Sequence, residues 1–179
     1  MTKPPVISPA YAEMNRQLHE DKPEYGVGAA FDAPTILALC RQNGFASVLD
    51  FGCGKGALKQ ALATSAPDIT VLEFDPAVPG KDSLPTQPFD LLVALDVMEH
   101  IEPDYLTGAL ATMRDLAPKG VVLKIALIPA NKTLPDGRNA HLIVESKVWW
   151  QEQLAPFFKT VGVQDIPSHF IFMGTPKQD

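Results

Sequence analysis

The chain has little cysteine: Cys40 and Cys53 are the only two in 179 residues. They make neither a disulfide framework nor a metal-ligand spacing, which argues against a cross-linked secreted scaffold or a zinc module and for a reducing, cytoplasmic setting. Long apolar runs are also missing. None approaches the ~20 residues that cross a bilayer, and the opening "MTKPPVISPAYAEM" has no signal-peptide core, so no membrane is expected as a partner. Positive charge is in short supply, with 15 Lys and Arg against 21 Asp and Glu and a net charge of −6. A field of that sign repels a phosphate backbone, so no nucleic acid is expected. There is no internal repeat and no low-complexity tract.

What remains is a globular composition, 46% hydrophobic and 20% charged, in a length that suits one domain. The first stretch, residues 1–31, is rich in proline and charge and reads as an arm packing on a single domain over residues 32–179. Within that domain, "DAPTILALCRQNG" predicts a helix, with Asp32 as N-cap candidate, Ile36, Leu37 and Cys40 on one stripe and Gly44 as stop. "SVLDF", "TVLEF", "FDLLVAL" and "VVLKIALI" read as strands, the third apolar from Leu91 to Leu95 as a strand covered on both faces should be. "GALKQALATSA" places Leu58 and Leu62 inward, and "PDYLTGALATMRDLAPKG" places Leu106, Ala109, Leu110 and Met113 at helical spacing, ending near Pro118 and Gly120. "SKVWWQEQLAPFF" predicts a helix capped by Ser146, and "TVGVQDI" with "HFIFMG" a closing pair of strands. The alternation argues for a doubly wound, mostly parallel α/β sheet with a C-terminal antiparallel hairpin.

In such a sheet, ligands sit beyond the carboxyl ends of the strands. Asp50 ends the first strand, Asp75 follows the second, Asp96 the third, and residues 129–131 the fourth. Three acids on one rim beside a glycine loop favour a ligand site over helix caps. The loop itself, "LDFGCGKGAL", gives up side chains at Gly52, Gly54 and Gly56, as expected where something approaches the backbone closely. Gly52, Gly54 and Ala57 fit the G-x-G-x-x-[G/A] fingerprint, and Asp75 lies nineteen residues beyond Gly56, near the ~20 expected of a ribose-holding acid. Asp50 separates the alternatives. A pyrophosphate would be repelled by a carboxylate at the loop entrance, whereas a ligand with an ammonium group would be held by it.

"VLDFGCGKGAL" resembles the first motif of the class I S-adenosylmethionine-dependent methyltransferases, an acid followed by Gly-x-Gly-x-Gly. "EFDPA" sits where that family places its ribose-binding acid, with Asp75 the better match and Glu73 second, and "FDLLVALDVMEHIEPD" resembles the family's fourth-strand segment. The resemblance implies a Rossmann-like sheet, S-adenosyl-L-methionine as cofactor, and contacts from Asp50, Gly52, Cys53, Gly54, Gly56, Asp75, Pro76, Asp96 and Val97. The sequence departs from the family between Asp75 and Phe89, where only thirteen residues, "PAVPGKDSLPTQP", replace a helix and a strand. Four prolines and a glycine exclude a useful helix there, so the sheet should be trimmed at its strand-3 edge. The family's adenine contact follows that strand, which makes Asp82 and Ser83 candidates by position only.

Methyl transfer from a positive sulfur mainly needs an aligned acceptor and the exclusion of water. A hydroxyl acceptor also needs a base, for which His100, closing "DVMEH", and His141, closing "LPDGRNAH", are the candidates. His19 is expected in solvent and His169 in packing. Asn131, Arg138 and Asn139 in "PANKTLPDGRNAHL" are candidate substrate-binding residues, with an Asp-Gly surface turn as the plain alternative. Trp149 is a candidate wall of the acceptor pocket, and Trp150 shares a core stripe with Leu154 and Phe157. No ligand spacing demands a metal and none is expected; Asp96, Asp136 and Asn139 would have to converge through loop geometry to hold one. The expected activity is methyl transfer to an oxygen or nitrogen of a small molecule. The alternatives are a nicotinamide-dependent dehydrogenase, which leaves Asp50 unexplained, and a non-catalytic S-adenosylmethionine-binding module.

Overall fold

Apolar strand segments separated by amphipathic helices can hide both faces of a sheet only if helices cover each side. The computed structural model, which describes residues 5–22, 26–86, 88–116 and 119–178, realises this with one six-stranded sheet in the order β2-β1-β3-β4-β6-β5. The strands are β1 (Ser47–Phe51), β2 (Thr70–Phe74), β3 (Leu91–Leu95), β4 (Gly120–Ala126), β5 (Phe158–Ile166) and β6 (His169–Pro176). The helices are α1 (Pro9–Asp21), α2 (Ala33–Asn43), α3 (Ala57–Ser65), α4 (Pro103–Leu116) and α5 (Lys147–Leu154). Neighbours among β1 to β4 pair in parallel, β6 runs antiparallel to β4, and β5 returns antiparallel to β6. The C-terminal hairpin is therefore present. Residues 75–90 contribute neither helix nor strand among the described residues, which leaves β2 at the sheet edge and the sheet trimmed as the short, proline-rich segment requires.

Side chains alternate between two apolar layers. Val48, Leu91, Val93 and Leu95 face Ile36 and Cys40 of α2 and Leu58 and Leu62 of α3. Leu49, Phe51, Leu92, Leu123 and Ile125 face α4 and α5, with Trp150 and Leu154 fully covered. Tyr11 and Leu18 of α1 join this second layer, so the arm is part of the core. Of its 31 positions, residues 1–4 and 23–25 lie outside the described ones, as does Pro118, named above as the end of a helix.

Two local expectations come out differently. Asp32 precedes α2 but makes no capping hydrogen bond. Its carboxylate is 3.1 Å from Lys124 Nζ, because a lysine in the middle of a buried strand needs a counter-charge more than a helix end needs a cap. The expected arm contains a helix whose N-cap, Ser8, is fastened to the body: Glu102 accepts from the Ser8 amide and hydroxyl at 2.6 and 2.8 Å.

Candidate active site

Leaving β1, the chain turns beneath β2, and the amides of Gly52 and Cys53 both donate to the Phe74 carbonyl, at 2.7 and 3.1 Å. Gly52 has φ 78°, and a Cβ there would meet the Val97 methyls at 2.6 Å. Gly54 has φ 51°, and its Cβ would meet the oxygen and Cα of Gly26 at 2.7 and 2.9 Å. What approaches these glycines is therefore the protein itself: the segment after β3 on one side and the end of the arm on the other.

The loop is clamped by Asp75, 7% exposed. Its Oδ2 accepts from the Gly54 amide and its Oδ1 from the Ala77 amide, each at 2.9 Å. A carboxylate has about four acceptor positions, so two remain for a ligand. Glu73, the second-choice ribose acid, is instead held between Lys81 at 3.0 Å and Lys59 at 3.2 Å. Burial raises its pKa, but those two lysines bring it below the ordinary carboxylate value. Asp50 lies beneath the loop, 1% exposed, and its Oδ2 finds no hydrogen-bond partner among the described residues. Burial pushes its carboxyl up to about 7, with the charges of Glu73 and Asp75 adding to the shift.

A cavity of about 230 Å³ opens above this floor. Of the candidate site residues, Gly52, Cys53, Gly54, Asp75, Pro76, Asp96, Val97 and His100 line it. Burial pushes the Cys53 thiol well above its ordinary pKa, so this is an apolar wall and not a nucleophile. Asp50 underlies the cavity without lining it, and Gly56 caps α3 beside Glu73. Asp82 and Ser83 are exposed and outside the lining, and so are Asn131 and Arg138. Asn139, His141 and Trp149 are half-buried, also outside it.

The fourth wall was not anticipated. Tyr11, Asn15 and His19 of α1 line the cavity, together with Ile7. The signal was available: these three are four residues apart, one face of one helix. His19, expected in solvent, is half-buried because α1 lies against the glycine loop, and burial lowers its pKa.

The far end of the cavity is built around the exit of β3. Asp96 takes a positive φ of 58°, and its amide donates to the Lys124 carbonyl at 2.9 Å. Its carboxylate stands 3.0 Å from Lys124 Nζ and 3.4 Å from His169 Nε2. Three residues on, Glu99 is 0% exposed. Its Oε1 accepts from the Ala126 amide at 3.0 Å, its Oε2 has no hydrogen-bond partner among the described residues, and burial raises its pKa to about 8. The imidazoles of His100 and His141 meet edge to face with ring centroids 4.8 Å apart. Burial, reinforced by His141, pushes His100 down to about 4 and keeps it neutral. Each Nδ1 faces a backbone carbonyl, Ala140 O at 2.8 Å for His100 and Ile128 O at 2.6 Å for His141. A carbonyl only accepts, so each Nδ1 carries the proton and a neutral ring presents its lone pair at Nε2.

The polar loop after β4 is held by its own contacts. Asn139 Oδ1 accepts from the amides of Ala130 and His141, both at 2.9 Å, and its Nδ2 donates to the Ala130 carbonyl at 2.8 Å. That amide shapes the loop. Arg138 pairs with Asp136 at 2.7 Å around the Asp-Gly turn, with its guanidinium 5.8 Å from the Tyr11 ring centre. Trp149 packs edge-on against Trp150, centroids 5.1 Å apart, which makes it a core neighbour.

Residues 28–155, more than half of the chain, match a family model described as a methyltransferase domain. The chain belongs to the class I S-adenosylmethionine-dependent methyltransferases. Membership leaves the dehydrogenase alternative without support. Among solved structures, this methyltransferase is similar to the 1,6-didemethyltoxoflavin-N1-methyltransferase of Burkholderia thailandensis, solved with 1,6-didemethyltoxoflavin and S-adenosylhomocysteine. The identity is 19% and the TM-score 0.65, over 99% of this chain and 94% of that one. The DhpI–SAH complex gives 16% identity and a TM-score of 0.68 over 96% and 100% of the two chains. The mitomycin 7-O-methyltransferase MmcR gives 16% and 0.65 over 90% of this methyltransferase and 60% of MmcR. At these identities the likeness is one of fold. No curated protein sequence matches the chain.

The residues fit the family's cofactor. An orphaned carboxylate oxygen beneath the glycine loop suits an ammonium group, and a buried carboxylate with two free acceptor positions suits a ribose diol.

Proposed function

We propose that this methyltransferase transfers the methyl group of S-adenosylmethionine to an oxygen or nitrogen of a small molecule. The observation that carries the reading is Asp50: a buried carboxylate at the root of the glycine loop, with one oxygen unpartnered, is a site for a cation and not for a pyrophosphate. Asp75 would take the ribose hydroxyls on the acceptor positions its two amide contacts leave open, and Asp96 and Val97 would wall the adenosine. The cofactor supplies a methyl group on a positively charged sulfur, which an acceptor lone pair displaces. The residues then have three tasks. The apolar wall of Ile7, Leu95, Val97 and Ile101 excludes water. Tyr11, Asn15 and His19 on α1 close one side of the cavity, with His19 beside Gly26, which packs on the glycine loop at Gly54. His100, held neutral and oriented through Nδ1, aligns the acceptor by accepting a hydrogen bond at Nε2. The acceptor's proton passes to the His100–His141 pair, a contribution of ~10²–10⁴-fold where such bases act. The net charge of −6 suits a small acceptor better than a polyanion; the acceptors of the N1- and 7-O-methyltransferases above are small molecules too.

Calorimetry tests the cofactor half. S-adenosylmethionine should bind, and Asp75→Asn should cost about 1.5–3 kcal/mol of that affinity, the scale of a hydrogen bond to a charged group. Heat from NAD with none from S-adenosylmethionine would sink the reading. A labelled-methyl screen over small phenols, hydroxy acids and amines then addresses the acceptor.

A further inference from the structure

At the far end of the cavity, away from the glycine loop, stands a second constellation. A carboxylate oxygen of Glu99, a ring nitrogen of His100 and a ring nitrogen of His141 lie within 4.8 Å of one another. We propose that these three residues bind one divalent first-row transition ion of the zinc type. Glu99 Oε2 is fully buried with no partner among the described residues, and both imidazoles are committed at Nδ1 to carbonyls, which leaves Nε2 as each ring's open acceptor. Three acceptors thus converge with no donor among them. A proton satisfies one of them, a cation all three.

The donor set selects the ion. Two imidazoles and one carboxylate suit zinc or its first-row neighbours and not magnesium or calcium, which want oxygen throughout. Three protein ligands leave a coordination position open, and His100 turns toward the cavity. The outer shell is built as well. Metal-bound histidines commonly donate their second nitrogen to a carbonyl, as His100 does to Ala140 and His141 to Ile128. Glu99 Oε1 is fixed by the Ala126 amide, and the Glu99 carbonyl accepts from the Ile143 amide at 3.0 Å, tying the loop that carries His141 to the segment that carries the other two. Ligands at ~2.0–2.2 Å from one tetrahedral ion stand ~3.4 Å apart, so shifts of about an ångström close the set. Other charges face it: Asp96 lies near both Glu99 and His100, and Lys124 and Lys132 lie nearby. Asp96 is engaged by Lys124 and His169 and is not counted as a ligand.

The ion's use in methyl transfer rests on the function proposed above. An acceptor oxygen in the open position would lose its proton to solvent water more readily. With the ion bound, the histidine lone pairs would serve as its ligands, and the His100–His141 base described above would belong to the ion-free protein alone. Ion binding itself stands apart from that reading.

The test uses the full chain after chelator treatment, titrated with Zn²⁺ in a calorimeter and with Co²⁺ in a visible spectrometer. One ion per chain should bind, and Co²⁺ should give the visible absorption of a low-coordinate nitrogen-and-oxygen site. His141→Ala, on a half-buried loop, should abolish that band and weaken Zn²⁺ by more than ~100-fold, beyond the ~10–100-fold typical of outer-shell losses. Glu99→Gln should do the same; if it fails to fold, His141→Ala decides alone. Unchanged affinity in the folded His141→Ala variant, or no heat and no band in the native protein, overturns the proposal. S-adenosylmethionine binding to the metal-free protein is measured alongside. Its loss with ion binding intact would count against the methyl-transfer reading alone.

Discussion

The two ends of the cavity are built by opposite means. At the cofactor end the contacts belong to the main chain: amides of Gly52, Gly54 and Ala77 are spent on Phe74 and Asp75, and backbone packs on backbone at Gly26. At the acceptor end the contacts belong to side chains from distant segments, with His100 and His141 meeting across 41 positions of sequence. Main-chain packing leaves no rotamer to adjust, so the first end is rigid and intolerant of change. Side chains on a loop can be replaced one at a time. The comparison teaches that this fold separates a fixed floor from a variable wall.

The sharpest way to test that difference is Gly54→Ala. Its Cβ would sit 2.7 Å from the Gly26 oxygen and 2.9 Å from the Gly26 Cα, in a backbone conformation at φ 51°. The left-handed conformation alone costs an alanine roughly 1–2 kcal/mol, and backbone cannot swing aside as a side chain can. The expected outcome is a loss of S-adenosylmethionine affinity of at least ~100-fold, about 2.7 kcal/mol, with a lowered melting temperature. Calorimetry and thermal unfolding measure the two. A variant that binds normally would show that the floor is not rigid.

That contrast also governs what the sequence disclosed. The glycine loop, Asp75 and the trimmed edge were legible because left-handed backbone, a strand-end acid and four prolines each leave a local signature. The same holds for the strands: "SVLDF" and "TVLEF" are β1 and β2 to the residue. Glu99 was not singled out, because a buried acid within "DVMEH" reads like any surface acid until Ala126 and His141 are seen around it. Asn139 and Arg138 looked like ligand groups because polarity in a loop does not say whether a side chain turns outward or ties the loop to itself. The Tyr11, Asn15, His19 stripe was readable at helical spacing, but proline and charge around it suggested an arm. Long-range side-chain meetings carry no sequence signature.

A smaller effect should appear in the pH dependence of cofactor binding. Asp50 titrates near 7 in the free protein instead of near 3.8, chiefly through burial. Its folded pKa is raised, so its contribution to stability is complete below about 4 and is lost as pH rises toward 7. A cofactor ammonium beside it reverses the preference and favours the ionised form. The complex then holds fewer protons than the free protein, and affinity should rise with pH up to about 7, by no more than about tenfold per unit. Calorimetry in buffers of different ionisation enthalpy should register proton release below pH 7, and Asp50→Asn should flatten the profile. A flat profile in the native protein would detach Asp50 from the ammonium.

The smallest effect is expected at the wall. Arg138 is exposed, paired with Asp136 at 2.7 Å and set 5.8 Å from the Tyr11 ring centre. Exposed ion pairs are worth about 0–1 kcal/mol, and a solvent-facing cation–π contact about 0.5–1 kcal/mol. Arg138→Ala should therefore lower the melting temperature by no more than about 4–8 °C, the shift that ~2 kcal/mol produces in a chain of this size. S-adenosylmethionine affinity should stay within about twofold, as for surface changes generally, because Arg138 meets Asp136 and the Tyr11 ring, away from the glycine loop and Asp75. An acceptor bearing a carboxylate or phosphate would reveal itself here as a raised KM with kcat unchanged, the mark of a group that binds without acting on the reacting atoms. A tenfold loss of cofactor affinity would break the comparison: it would mean that the wall, through Tyr11 and α1, holds the floor in place, and that the two ends are one device.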